Sequence, residues 1–176
     1  IGGHAMKTSQ NFPLMYALLM VCQIVLCNYA NLGPYITLTM LPAMILCVPT
    51  GVSTIACMAL AFASGFATDW LAEGLLGLNT AALLPVALIR KGVIRIFLGE
   101  DLIARNDSFS IRKNGLVKVS TALLTVSAVF LAAYIFLDGA GTRPFWFCAT
   151  KFGVSLTCNW ALGLLVIRVL TTDDRK

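Results

Sequence analysis

The chain has 176 residues, of which 59% are hydrophobic and only 12% charged, and its mean hydropathy is +0.85. A soluble domain carries about 25% charged residues, so this composition excludes a water-soluble globule and makes lipid the solvent for most of the chain. The net charge of +5 lacks the basic, aromatic-interleaved soluble face of a nucleic-acid binder, so no nucleic-acid partner is expected.

Residues 1–5, Ile-Gly-Gly-His-Ala, read as a cloning remnant ahead of Met6 and carry the single histidine, His4. Residues 6–176 read as one transmembrane domain. A crossing helix needs about 20 mostly apolar residues, and six candidate spans follow: 12–31, 33–48, 51–68, 74–97, 116–137 and 145–169. The fold class is all-α, an integral membrane six-helix bundle. The second span is short and holds Pro42 between Pro34 and Pro49, so it is expected to be kinked, tilted or partly re-entrant, because proline lacks the helix-interior amide.

Gln23 in span one is expected to form an interhelical hydrogen bond. In span three Ala59, Ala63 and Ala67 recur every fourth residue, a spacing that lets helices approach closely. Packing inside the bundle is the first expectation for this face, and docking of a second subunit the alternative. The acids Asp69 and Glu73 flank Trp70 at the end of this span. Tryptophan favours the membrane–water boundary, so the first reading places both acids in a turn within reach of water. There either acid can favour the positive end of span four. The sharper reading adds Gly74, Gly77 and Asn79 as the mouth of a broken helix, a small-molecule site or a rigid loop for a partner protein.

Span four ends in a basic stretch, and 90–115 reads as a cytoplasmic amphipathic segment or a solvated loop. In it Val93, Ile94, Ile96, Phe97, Leu102 and Ile103 alternate with Arg90, Lys91, Arg95, Glu100, Asp101 and Arg105. In span six Lys151 is expected to snorkel outward or to pair with Asp69 or Asp138, and Asn159 to bond between helices. Counting Lys and Arg by loop puts Lys7, the 90–118 cluster, Arg168, Arg175 and Lys176 on one side and only Arg143 and Lys151 on the other. That bias predicts a cytoplasmic-membrane protein with both termini inside.

The six cysteines all lie in apolar runs without a C-x-x-C pair, and read as small buried hydrophobes. No nucleophile with a positioned base is visible, so no enzyme activity, metal or cofactor is expected.

The stretch Leu60 to Arg95 resembles the MreD family, the small integral membrane component of the bacterial rod-shape complex. Gly65 and Asp69 match a G-x-x-x-D element. Gly74, Gly77, Leu78, Asn79, Ala81 and Ala82 match a glycine-rich second element, and Arg90, Lys91 and Arg95 the basic end; Trp70, Glu73 and Pro85 depart from the pattern. The resemblance implies a non-enzymatic scaffold that binds MreC and, through it, MreB, RodA and a penicillin-binding transpeptidase in lateral cell-wall synthesis. It also implies a fold shared with the substrate-binding subunits of energy-coupling-factor vitamin transporters. On this reading Asp69, Trp70, Glu73, Gly77 and Asn79 are candidates for partner binding, Ala59, Ala63 and Ala67 for a second face, and Arg90, Lys91, Arg95 and Arg105 for the cytoplasmic basic segment.

The alternative is a vitamin-binding subunit of such a transporter. It calls for an A-x-x-x-A face in span one, which reads YALLMVCQIVLCNYA and lacks it. It also calls for an outer aromatic pocket, for which Trp70, Trp146, Phe147 and Trp160 are available.

Overall fold

The computed structural model describes residues 12–30, 32–104, 114–139 and 141–171. Among these residues the chain is all-helical. Helix α1 is Phe12–Tyr29, α2 Leu41–Leu46, α3 Thr54–Thr68 with a π-helical turn Asp69–Glu73 continuing it, and α4 Leu78–Leu98. Helix α5 is Glu100–Ala104, α6 Leu116–Gly139 and α7 Phe145–Thr171. Four of the described helices are long and apolar enough to cross a membrane: Phe12–Tyr29, Thr54–Glu73, Leu116–Gly139 and Phe145–Leu170. The chain is accordingly an integral membrane protein. Helix α4 has the length, 21 residues or about 31 Å at 1.5 Å per residue, and carries Arg90, Lys91 and Arg95.

Each long helix turns one stripe inward. On α7 the buried positions Lys151, Ser155, Asn159, Gly163 and Ile167 recur at every fourth residue. On α1 the buried residues are Tyr16, Leu19 and Gln23, while Leu14, Leu18, Val21 and Val25 face outward. An apolar outer face of this kind suits lipid. Helices α3, α4, α6 and α7 pack consecutively, and all six residues of α2 are buried among them.

The second segment departs from the expected helix. Residues 33–40 carry no regular helix, and only Leu41–Leu46 is helical. The segment nonetheless runs from one end of the bundle toward the other. Just before it, at the end of α1, the Asn28 side chain reaches the Leu71 carbonyl beside the Asp69 turn, and at its own start Tyr35 packs on Phe147 in the first turn of α7. At its finish the Leu46 and Val48 carbonyls meet Arg90, far along α4 from the helix start at Leu78. A traverse half without helix must have its backbone satisfied by protein, because lipid supplies no hydrogen bonds.

The alanine ladder is also corrected. Ala59 and Ala63 are exposed and Ala67 is half-buried, whereas Cys57, Ala61, Ser64, Gly65 and Thr68 form the inward face. Among the described residues Ala59 and Ala63 of the ladder therefore face away from the bundle, and only Ala67 is partly covered. The cysteines divide: Cys47 and Cys57 are buried, Cys22 is exposed, and Cys27, Cys148 and Cys158 are intermediate.

Candidate functional site

The most densely bonded polar site is the corner between α3 and α4. Gly65 sits where the two helices cross, and a Cβ there would lie 2.6 Å from the Thr80 Cα. Only glycine admits that approach. One turn further on, the Asp69 carboxylate is carried to the first turn of α4, whose own N-cap, Gly77, has no side chain to offer.

Asp69 does the capping in its place. Its Oδ2 accepts the backbone N–H groups of Gly77 at 3.0 Å and Thr80 at 3.1 Å, and the Thr80 hydroxyl at 2.8 Å. Its Oδ1 accepts the backbone N–H of Asn79 at 2.9 Å and the Asn79 side-chain amide at 3.0 Å. The first N–H groups of a helix have no intrahelical acceptor, and a carboxylate there is favoured by both the open donors and the helix dipole.

The chain between these partners is shaped by glycine. Gly74, at φ +69°, ends the π turn and donates its N–H to the Asp69 carbonyl at 2.8 Å, and Gly77, at φ +98°, opens α4. Both conformations are strained for residues with a Cβ. Gly65, Asp69, Gly74, Gly77 and Asn79 thus form one joint, in which the glycines place the backbone and the acid and amide fix it.

This corrects the reading of Asp69 as an acid within reach of water: it is 0% exposed. Asn79 is likewise buried, so neither side chain is open to a partner. The exposed rim of the corner is apolar instead, with Trp70 65% exposed and Leu71, Leu75 and Leu76 open beside it. Glu73 is half-buried and accepts a hydrogen bond from the Tyr134 hydroxyl at 3.1 Å, tying the corner to α6.

Three further interior polar residues, Gln23, Ser155 and Asn159, serve the broken traverse. Gln23 Oε1 accepts the Met40 N–H at 2.6 Å, and Asn159 Oδ1 accepts the Thr39 N–H at 2.9 Å while its amide donates to the Thr37 carbonyl at 3.0 Å. Ser155 Oγ accepts the Thr37 N–H at 2.9 Å and lies 3.4 Å from the Tyr35 carbonyl. Gln23 and Asn159, expected to bond between helices, have as their partners instead the backbone of the non-helical stretch 37–40.

Arg90 closes the other end of the traverse. It is 1% exposed, and its guanidinium donates to the Leu46 and Val48 carbonyls, the open acceptors at the end of α2. Its Nη1 has no hydrogen-bond partner. Arg90 therefore does not belong to an exposed basic face. Arg95 does, paired with Glu100 at 3.2 Å where both are solvent-facing, and Lys91 is half-buried. Arg105 and the rest of the segment to 113 lie outside the described residues, as do Lys7, Arg175 and Lys176.

Lys151 pairs with Asp138. Its Nζ is 3.1 Å from Asp138 Oδ2 with the side chain only 8% exposed, and it lies 5.5 Å from the centre of the Tyr134 ring. Arg143 approaches the same carboxylate oxygen at 3.7 Å.

The site is a packed polar framework in which Asp69, Glu73 and Asp138 are each engaged by a structural partner. No cluster of three or more His, Cys, Asp or Glu side chains that could hold a metal occurs among the described residues. The four aromatic residues available for an outer pocket are dispersed. Trp70 lies edge-on to Phe66, Phe147 packs on Tyr35, Trp160 donates to Ser120 at 2.7 Å, and Trp146 faces outward. Comparison with protein-family models, curated proteins and solved structures finds no match to this chain.

Proposed function

We propose that the chain is a non-enzymatic membrane scaffold of the bacterial cell-elongation machinery, of the MreD kind. It sits in the cytoplasmic membrane with both termini in the cytoplasm and binds MreC, and through MreC reaches MreB, RodA and a penicillin-binding transpeptidase. Its six membrane segments form a bundle like that of the energy-coupling-factor substrate-binding subunits, with the second segment crossing as an irregular stretch and a short helix.

The observation that supports this reading is the α3–α4 corner. The residues that carry the family resemblance, Gly65, Asp69, Gly74, Gly77 and Asn79, work together in one rigid joint. That joint presents a hydrophobic rim of Trp70, Leu71, Leu75 and Leu76. Rigid elements with an aromatic anchor at an exposed apolar patch suit protein docking. MreC is the partner assigned to this rim.

Co-purification of tagged MreC with Trp70→Ala and Leu75→Arg variants tests the proposal. Retention should fall at least tenfold in both while thermal unfolding of the bundle stays unchanged. Unaltered retention in both variants removes the rim, and with it the scaffold reading of this corner.

The runner-up, a vitamin-binding subunit, draws on the broken traverse, since interrupted membrane segments often line small-molecule sites. Against it, the traverse is filled by its own buried side chains, Leu41 to Leu46. A stoichiometric vitamin in native mass spectrometry of the purified chain would reverse the order of the two readings.

A further inference from the structure

A cavity of about 560 Å³ opens between α6 and α7 beside their connecting turn. Its walls are apolar, including Ile135, Phe136, Cys148, Ala149 and Phe152, with one exception, Arg143. Ligand pockets are typically 300–1,000 Å³ with a few polar groups that fix orientation. Here a single cation at the rim of an otherwise hydrocarbon-like space is the whole polar content.

The charge of that cation is incompletely matched. Asp138 is its ion-pair partner, yet Asp138 is held closer by the buried Lys151, at 3.1 Å against 3.7 Å for Arg143. Two cations therefore share one carboxylate. The Arg143 side chain stays 41% exposed and extends over the Phe147 ring at 5.2 Å. The two acids of the neighbouring corner are engaged elsewhere, Glu73 by the Tyr134 hydroxyl and Asp69 by the first turn of α4. A residual positive charge thus stands at the open edge of an apolar groove, and Phe136 and Phe145 expose their rings at the mouth.

We propose that this cavity seats an anionic phospholipid, its phosphate on Arg143 and an acyl chain between α6 and α7. A guanidinium is well matched to a phosphate oxygen pair, and such charge-assisted bonds are the stronger ones. A water-soluble ligand would leave its polar groups without partners along these walls. A neutral helix from another protein would leave Arg143 unmatched. The complementarity therefore selects an amphiphile with a negative head. The inference rests on the membrane reading alone and is independent of MreC.

The test uses the full chain in nanodiscs of phosphatidylcholine doped with phosphatidylglycerol, released and counted by native mass spectrometry. The wild-type chain should retain about one phosphatidylglycerol in preference to phosphatidylcholine. Arg143→Gln should lower that preference about tenfold, as expected for loss of a charge-assisted contact, and Arg143→Lys should keep part of it. Ala149→Phe, which fills the groove, should reduce retention of both lipids. Thermal unfolding by tryptophan fluorescence confirms that each variant is folded. Equal retention of the two lipids by the wild type, or an unchanged preference in Arg143→Gln, overturns the headgroup site. Unchanged retention in Ala149→Phe overturns the acyl seat. A Cys148–Cys148 cross-link between copies in lipid-replete discs assigns the groove to a second copy and also overturns the proposal.

Discussion

Asp69 holds Thr80 twice, by its backbone N–H at 3.1 Å and its hydroxyl at 2.8 Å. The two residues belong to consecutive helices, and the hold is possible because Gly65 lets the backbone of Thr80 approach closely one turn earlier. Cap and crossing are one device, so disturbing either should loosen both.

Gly65→Ala tests the crossing. The new Cβ would fall 2.6 Å from the Thr80 Cα, and backbone cannot step aside as a flexible side chain can. Overpacking of this kind costs about 1–3 kcal/mol. Thermal unfolding in detergent should show the loss, with increased hydrogen exchange at Asn79 and Thr80. A Gly65→Ala protein as stable as the wild type would refute the close crossing.

Asp69→Asn tests the cap. The amide keeps one acceptor oxygen but turns two hydrogens toward donors, so several contacts of the corner are lost together. Hydrogen bonds to charged groups contribute about 1.5–3 kcal/mol each and do not add fully, so a destabilisation of roughly 2–4 kcal/mol is expected. Asp69→Glu should restore little, because Oδ1 and Oδ2 are each placed on separate donors. Chemical denaturation in mixed micelles measures both variants.

Arg90→Met tests the closure of the traverse. The variant leaves the Leu46 and Val48 carbonyls without their donor, at about 1–3 kcal/mol for an unsatisfied buried group. Cys47 lies between those two carbonyls and is buried, so its alkylation by maleimide, mapped by peptide mass spectrometry, should accelerate. Alkylation at the wild-type rate would show that the end of α2 is held by packing alone.

Asn159→Leu tests the start of the traverse. The change removes both an acceptor for Thr39 and a donor for Thr37. Single interhelical hydrogen bonds in membranes contribute about 0.6 kcal/mol on average, but here two backbone groups lose their partner within protein. A loss near 2 kcal/mol is expected, and a loss below about 0.5 kcal/mol would mean that water or another side chain takes over.

The long helices were legible because an uninterrupted apolar run sets both the existence and the length of a crossing helix. Span one, read as 12–31, is Phe12–Tyr29, and span five, read as 116–137, is Leu116–Gly139. The second span misled because hydrophobicity reports burial and not helicity. Pro34, Pro42 and the following Pro49 hinted at the break, but most of the groups that make a non-helical stretch tolerable, Ser155 and Asn159, lie in the last helix. The α3 alanine ladder misled for another reason. Both faces of α3 are built of small residues, so spacing could not say which one turns inward.

The corner was half legible. Its glycines and the affinity of an acid for the start of span four could be read from the sequence. The full burial of Asp69 could not, because it depends on the approach at Gly65. Arg90 was hidden among neighbouring cations, since a charge count does not reveal which member of a basic cluster faces the carbonyls of a distant loop.

The broken traverse has a consequence for how the protein is made. Thr37 and Thr39 find their side-chain partners at Ser155 and Asn159, 118 and 120 residues later in the chain. During synthesis the amides of Thr37 and Thr39 therefore lack these acceptors until the final helix leaves the ribosome and enters the bilayer. A chain truncated before α7 should stall at the translocon or be degraded, and α7 supplied as a separate polypeptide should rescue it.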